Sequence, residues 1–142
     1  MKTVKQMLQA KTRALCTISP DAPVFDALKL MAEKDIGALL VIEKGRLAGI
    51  ISERDYARKV ILHGKSSHDT PVREIMTARV VCVRPANTVE ECMALMTDNR
   101  IRHLPVVEND ELLGVLSIGD LVKETISEQQ TTIRQLESYI HS

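Results

Sequence analysis

Aromatic side chains are nearly missing from this chain of 142 residues, which has one Phe, two Tyr and no Trp. A stacking platform for single-stranded nucleic acid needs exposed rings, so that class of partner is excluded. Excess charge of one sign is missing too, because nineteen basic and nineteen acidic side chains cancel to a formal net charge of zero. Nucleic-acid phosphates demand a basic footprint, and none is written here. The longest uninterrupted apolar run, IGALLVI (36–42), is far short of a membrane span. The opening residues MKTVKQMLQAKTRAL hold no apolar h-region and no small-residue cleavage site, so a cytoplasmic location is expected rather than secretion. Cys16, Cys82 and Cys92 form no CxxC pair and are odd in number. They suit a reducing compartment and small buried side chains better than disulfides or a metal site. There is no nucleophile–base pair, no Walker loop and no GxGxxG, and His63, His68 and His141 fall in a linker or tail. An enzyme is not expected.

What the chain does contain is a sentence written twice. GIISERD (49–55) and GVLSIGD (114–120) share the pattern Gly, two apolar residues, Ser, two variable residues, Asp, 65 positions apart. In that register residues 24–60 lie on 89–125 without a gap. Leu39, Val41, Glu43, Leu47, Gly49, Ser52 and Asp55 recur as Leu104, Val106, Glu108, Leu112, Gly114, Ser117 and Asp120. Pro20 falls on Pro85, and upstream VKQML (4–8) answers VREIM (72–76) if the first copy has three extra residues before its proline.

Each copy predicts the same unit. A short strand, LCTI (15–18) or VVCV (80–83), ends at a proline. A helix follows, with Val24, Ala27, Leu28, Met31 or Val89, Cys92, Met93, Met96 at i, i+3, i+4, i+7. Pro23 marks the start of one helix, and a Thr88–Glu91 capping box marks the other. Two β-rich runs then flank a polar turn, and a second helix opens at Ser52 or Ser117. The fold class is therefore α/β: two β-α-β-β-α repeats packed about a pseudo-twofold axis, plus a C-terminal helix. One copy is too small to be comfortable alone, whereas two can bury their sheets and leave two similar clefts at the seam. The expected boundaries are 1–62 for the first repeat, 63–70 for a polar linker, 71–125 for the second repeat and 126–142 for the helical extension.

The SxxD turns admit two readings. In one they are near capping boxes, with Ser accepting from the amide three residues on and the acid reaching back. In the other, the free amides of a helix N-terminus seat a phosphate, while an ionised Asp accepts from two ribose hydroxyls. Gly49 and Gly114 just before the turns would let a backbone or a ligand approach closely. Cations stand nearby: Arg54, Arg58 and Lys59 in the first copy, Arg102 and His103 at the equivalent strand start of the second.

Taken together, the ungapped repeat, IRHLPVV (101–107), the two GxxSxxD turns and PVREIMT (71–77) resemble a pair of cystathionine-β-synthase (CBS) domains, the Bateman module, over roughly residues 1–125. ERDYARKVILHGKS further resembles the small stand-alone bacterial CBS-pair proteins, which carry no attached catalytic domain. The resemblance implies a non-catalytic sensor that binds adenine nucleotides in one or both clefts. By position, Asp55 and Asp120 would hold ribose hydroxyls, with Ser52 and Ser117 near the phosphate or ribose. Residues matching Arg102 and His103 contact phosphate in a related energy-sensing kinase subunit. Thr17, Ile18 and Val83 match segments that line the adenine through backbone polar groups. Gly37 and Ala38 occupy the strand start that Arg102 and His103 occupy in the other copy, and Pro105 belongs to the same LPVV run. The first copy lacks the Arg-His pair but has Arg54 where the second has Gly119, so the two clefts are not equivalent. Nucleotides seen in the family include AMP, ADP, ATP, S-adenosylmethionine and NAD. Zero net charge with local cations favours one or two phosphates, hence AMP or NAD.

From Asp120 onward the chain reads as one helix. Ile126, Ile133 and Ile140 are seven apart, with Gln129 and Leu136 between them at d-like positions. This stripe either packs back on its own module or forms a seam with a second chain. A homodimer acting on a further, unidentified protein target is the resulting expectation. The alternative is a ligand-free dimerisation scaffold whose SxxD turns are only caps.

Overall fold

The computed structural model describes residues 2–10 and 15–141. Two compact units emerge, and neither is a contiguous stretch of chain.

One unit comprises the described parts of Arg13–Val81 together with Asn109–Leu112. Strand β1 (Thr17–Ile18) runs parallel to β2 (Ala38–Glu43), which pairs antiparallel with β3 (Arg46–Ser52). Lys44 and Gly45 turn the hairpin at φ 53° and 76°, and a bulge interrupts the ladder after Val41. Helix α2 (Val24–Lys34) crosses from β1 to β2. Val24, Ala27 and Met31, at helical spacing, are buried with Leu39, Val41 and Ile51 from the strands. Helix α3 (Glu53–Tyr56) widens into a π-helical turn, Ala57–Ile61, that carries Val60 into the same core. The polar 63–70 segment has a structural duty here. Pro23 offers α2 no side-chain cap, so the amides of Val24 and Phe25 donate to the carbonyls of Thr70 (2.8 Å) and Ser67 (2.9 Å).

The second unit comprises the described parts of Met1–Thr12, Cys82–Glu108 and Leu113–Ser142. It holds α1 (Val4–Ala10), α5 (Val89–Asn99), β4 (His103–Glu108), β5 (Glu111–Ser117) from Leu113 onward, and α6 (Ile118–His141). The strand expected at VVCV shrinks to one parallel bridge between Val83 and Val106. In the first copy the Leu40 amide donates back to Cys16, but the residue 65 positions on is Pro105, which has no N–H to continue the ladder.

The helix ahead of each repeat docks on the other repeat. Short α4 (Val72–Ile75) belongs to the first unit, where Val72 and Arg73 donate to the carbonyls of Ala22 (2.8 Å) and Pro20 (2.9 Å). In the second unit Val4 and Lys5 of α1 donate to Asn87 (2.8 Å) and Pro85 (3.0 Å), the repeat-equivalent acceptors. This exchange accounts for the two glycines. A Cβ on Gly49 would stand 2.7 Å from the Thr77 carbonyl oxygen and 2.9 Å from Met76 Sδ, and one on Gly114 would stand 2.9 Å from Leu8 Cδ2. Of the two approaches expected there, the one observed is that of the exchanged segment.

Cys92 is buried in α5, with burial and the neighbouring Glu91 charge pushing its thiol up to about 11. Cys16 is half-buried and Cys82 exposed, so the expectation of buried cysteines fails at Cys82, which lies outside any paired strand. The box at the α5 start forms as expected: Thr88 Oγ1 accepts from the Glu91 amide (3.2 Å), and Glu91 accepts from the Thr88 amide (3.4 Å). A hydrogen bond from Asn87 and those from Thr88 hold the Glu91 carboxyl below its usual range. Because the folded pKa is depressed, this contribution is complete above the ordinary value of 4.5 and is lost as pH falls through the lower folded one. Melting temperatures of wild type and Glu91→Gln should therefore differ at pH 6 and converge toward pH 3.

Candidate functional site

Both SxxD turns stand where a strand runs into a helix. At the end of β3, Asp55 Oδ2 accepts from the Ser52 amide (3.0 Å) and Ser52 Oγ (3.1 Å), and Ser52 Oγ accepts from the Asp55 amide (3.3 Å). At the end of β5, Asp120 Oδ2 accepts from the Ser117 amide (2.8 Å), and Ser117 Oγ accepts from the Asp120 amide (3.2 Å). Both are capping boxes, so the structural reading of the motif is realised. It does not exhaust the carboxylates, since an ionised carboxylate offers about four lone-pair sites.

In the first copy a lysine also holds the acid. Asp55 Oδ1 pairs with Lys59 Nζ at 3.3 Å, and the same ammonium donates to the Ile75 carbonyl at 3.0 Å. Lys59, expected among the phosphate-facing cations, is thus a tie between α3 and α4. Arg54 and Arg58 are exposed on the same turn-forming segment.

Backbone pairing gathers the remaining candidates beside these turns. Ala38 pairs with Ser52 across the sheet, and the Glu53 amide donates to Gly37 at 3.1 Å. In the other unit the Ile118 amide donates to Arg102 at 2.8 Å, which sets Arg102 and His103 beside Ser117. Thr17 and Ile18 pair with Leu40 and Val41, so Thr17 lies near the Ala38 end of the sheet. Val83 and Pro105 are buried. The Val83 amide donates to Pro105 (2.9 Å) and the Val83 carbonyl accepts from Val107 (2.9 Å), which commits its single donor to β4 rather than to a base.

Asp120 also lines a groove of about 330 Å³ with Met7, Ala10, Leu116, Lys123, Glu124 and Ser127. At its edge Lys2 Nζ pairs with Glu124 at 3.0 Å. Arg102 and His103 do not line this groove, and Lys123 does. Lys123 went unremarked in the sequence although it lies 65 positions after Arg58, so the register offered the signal. The α1 residues Met7 and Ala10 could not be foreseen without knowing that α1 crosses to the second repeat. Among the described residues no group of three or more His, Cys, Asp or Glu could hold a metal, and no helix is long and apolar enough to cross a membrane.

Two copies of a helix, a β-hairpin and a second helix, with a capped acid at each strand-to-helix turn, define a tandem-repeat module. The CBS domain family model matches residues 4–62 and 72–127, and the chain belongs to that family. A solved CBS-domain protein of Burkholderia ambifaria, described as acting in signal transduction, is 54% identical with a TM-score of 0.87, covering 90% of this chain and 96% of that one. The mitochondrial CBS domain-containing protein CBSX3 of Arabidopsis thaliana is 40% identical, over 97% of this chain and 71% of its own length. YhcV of Bacillus subtilis is 33% identical, over 91% and 89%. CBS pairs are generally regulatory, ligand-binding and non-catalytic, and the α/β architecture with its C-terminal helix agrees with these structures.

Proposed function

We propose that the protein is a non-catalytic sensor that binds an adenine nucleotide, AMP or NAD, and passes its occupancy to another protein. The observation that carries this reading is the groove at Asp120, where an acid and the Lys123 ammonium line the same apolar-floored depression. An acid that accepts from ribose hydroxyls beside a cation that meets a phosphate is the pairing a nucleotide requires. At about 330 Å³ the groove is at the lower end of small-ligand sites, which suits a mononucleotide half better than a whole dinucleotide. The CBS pair of protein MJ0100, 22% identical with a TM-score of 0.78, was solved with 5′-methylthioadenosine and S-adenosylmethionine. That protein therefore supports an adenosine ligand for the shared fold without specifying one for this sequence.

Arg102 and His103 would reach the phosphate from the Ser117 side, and Arg54 and Arg58 would serve the first copy. A nucleotide that prefers one arrangement of the module shifts its population toward that arrangement, and this is how binding becomes output. The reading includes a homodimer in the cytoplasm. A ligand-free scaffold is the second reading, favoured by the fact that both carboxylates already close on their own caps.

Thermal melts with AMP, ADP, ATP, NAD, S-adenosylmethionine and GTP separate the two. A ligand at a hundred times its dissociation constant should stabilise the fold by about 2.7 kcal/mol, a shift of several degrees. A shift with AMP or NAD and none with GTP is the expected result. No shift with any of them supports the scaffold.

A further inference from the structure

Helix α6 carries an apolar stripe that the described residues leave largely exposed, most of all toward its C-terminal end. Val122, Ile126, Ile133, Leu136 and Ile140 are 42%, 49%, 53%, 58% and 75% exposed. The reading in which this stripe packs back on its own module therefore fails. These positions occupy the a and d sites of a heptad seam, with Gln129 in the remaining d site. From Val122 to Ile140 the seam is roughly 27 Å long at 1.5 Å per residue.

The charges beside the seam identify its occupant. The e positions are Lys123, Gln130 and Glu137, and the g positions Thr125, Thr132 and Tyr139 carry no formal charge at neutral pH. Lys123 and Glu137 are exposed, and neither makes an ion pair within the described residues. In a two-fold antiparallel pair, e faces e. Lys123 then meets Glu137 of the second copy, Glu137 meets its Lys123, and the two Gln130 side chains meet on the axis. The same register stacks Ile126 on Leu136, Gln129 on Ile133 and Val122 on Ile140, so no apolar seam residue is left over. In a parallel pair, g faces e: Thr125 meets Gln130 and Thr132 meets Glu137. Neither opposite-charge pair then forms, and the two Gln129 amides share one layer.

We infer that α6 is an antiparallel coiled-coil seam with a second copy of this chain, centred between Gln129 and Ile133. The inference does not rest on the nucleotide reading, although the two share Lys123. Lys123 also lines the Asp120 groove, so the charge test relies first on Glu137, which does not.

Two measurements on the full chain decide it. In sedimentation equilibrium, Glu137→Lys should weaken self-association roughly tenfold, because two symmetry-related pairs change sign. Adding Lys123→Glu to that variant should restore it. For geometry, Gln129→Cys and Ile133→Cys variants are made separately in a Cys16→Ser, Cys82→Ser background and then oxidised alone or mixed. The mixture alone should yield a disulfide-linked dimer, joined 129 to 133. Self-linking of each variant by itself would mean a parallel seam and overturn the inference. So would the absence of any cross-link together with unchanged sedimentation of Ile133→Asp, an exposed-site change the fold should tolerate.

Discussion

Gly49→Ala is expected to destabilise the protein by about 2–3 kcal/mol, whereas Gly114→Ala should cost about 1 kcal/mol or less. The two glycines are repeat-equivalent, so sequence alone would assign them equal costs. Their neighbours are not equivalent. The new methyl group at position 49 would lie 2.7 Å from a backbone oxygen, that of Thr77, whose residue exchanges hydrogen bonds of 2.8 and 3.0 Å with Ile50. Relieving that clash means breaking the pairing that seats α4. At position 114 the obstacle is the end of the Leu8 side chain, 2.9 Å away, and it can swing aside. The lower unfolded-state freedom of alanine offsets about 0.4–1 kcal/mol at either site, enough to nearly cancel the smaller cost. Urea denaturation of both variants reads the difference directly. Equal losses would mean that the exchanged segments do not seat as described.

Asp120→Ala should lower affinity for the bound nucleotide by about a hundredfold or more, since two hydrogen bonds to a charged acceptor are lost at roughly 1.5–3 kcal/mol each. Its apo stability should fall by about 1 kcal/mol, the usual cost of a lost cap, because the Asp120 amide still donates to Ser117. Asp55→Ala should show the reverse balance. Its carboxylate already accepts from Ser52 and pairs with Lys59, so removing it loosens the α3–α4 tie and touches ligand affinity less. Titration calorimetry and melts on the two variants measure both quantities.

Most of the fold was legible because duplication let each copy check the other. The 65-residue register extends into the backbone: Asp35 and Arg100 both end their helices at positive φ, and Glu53 and Ile118 donate to the equivalent carbonyls of Gly37 and Arg102. Two features were hidden for physical reasons. The exchange of α1 and α4 depends on which repeat's acceptors are nearer in space, and two matching sets of acceptors look alike in a sequence. The loss of the second leading strand was written at Pro105, but only knowledge of its partner residue gives that proline a meaning. At the candidate site, of the two readings of the SxxD motif, the cap is realised in both copies. The Lys59–Asp55 pair lies at i, i+4 and was within reach of helical spacing, whereas the Lys59 bond to Ile75, 16 positions ahead, was not.

The central claim is that the acid at a strand-to-helix turn holds the sugar of a bound adenosine compound. Titration calorimetry of wild type and Asp120→Ala with AMP and with its 2′,3′-dideoxy analogue tests it most directly. The account predicts that wild type binds AMP far more tightly than the dideoxy form and that the variant no longer distinguishes them. Equal binding of both ligands by wild type, or undiminished discrimination by the variant, would contradict it.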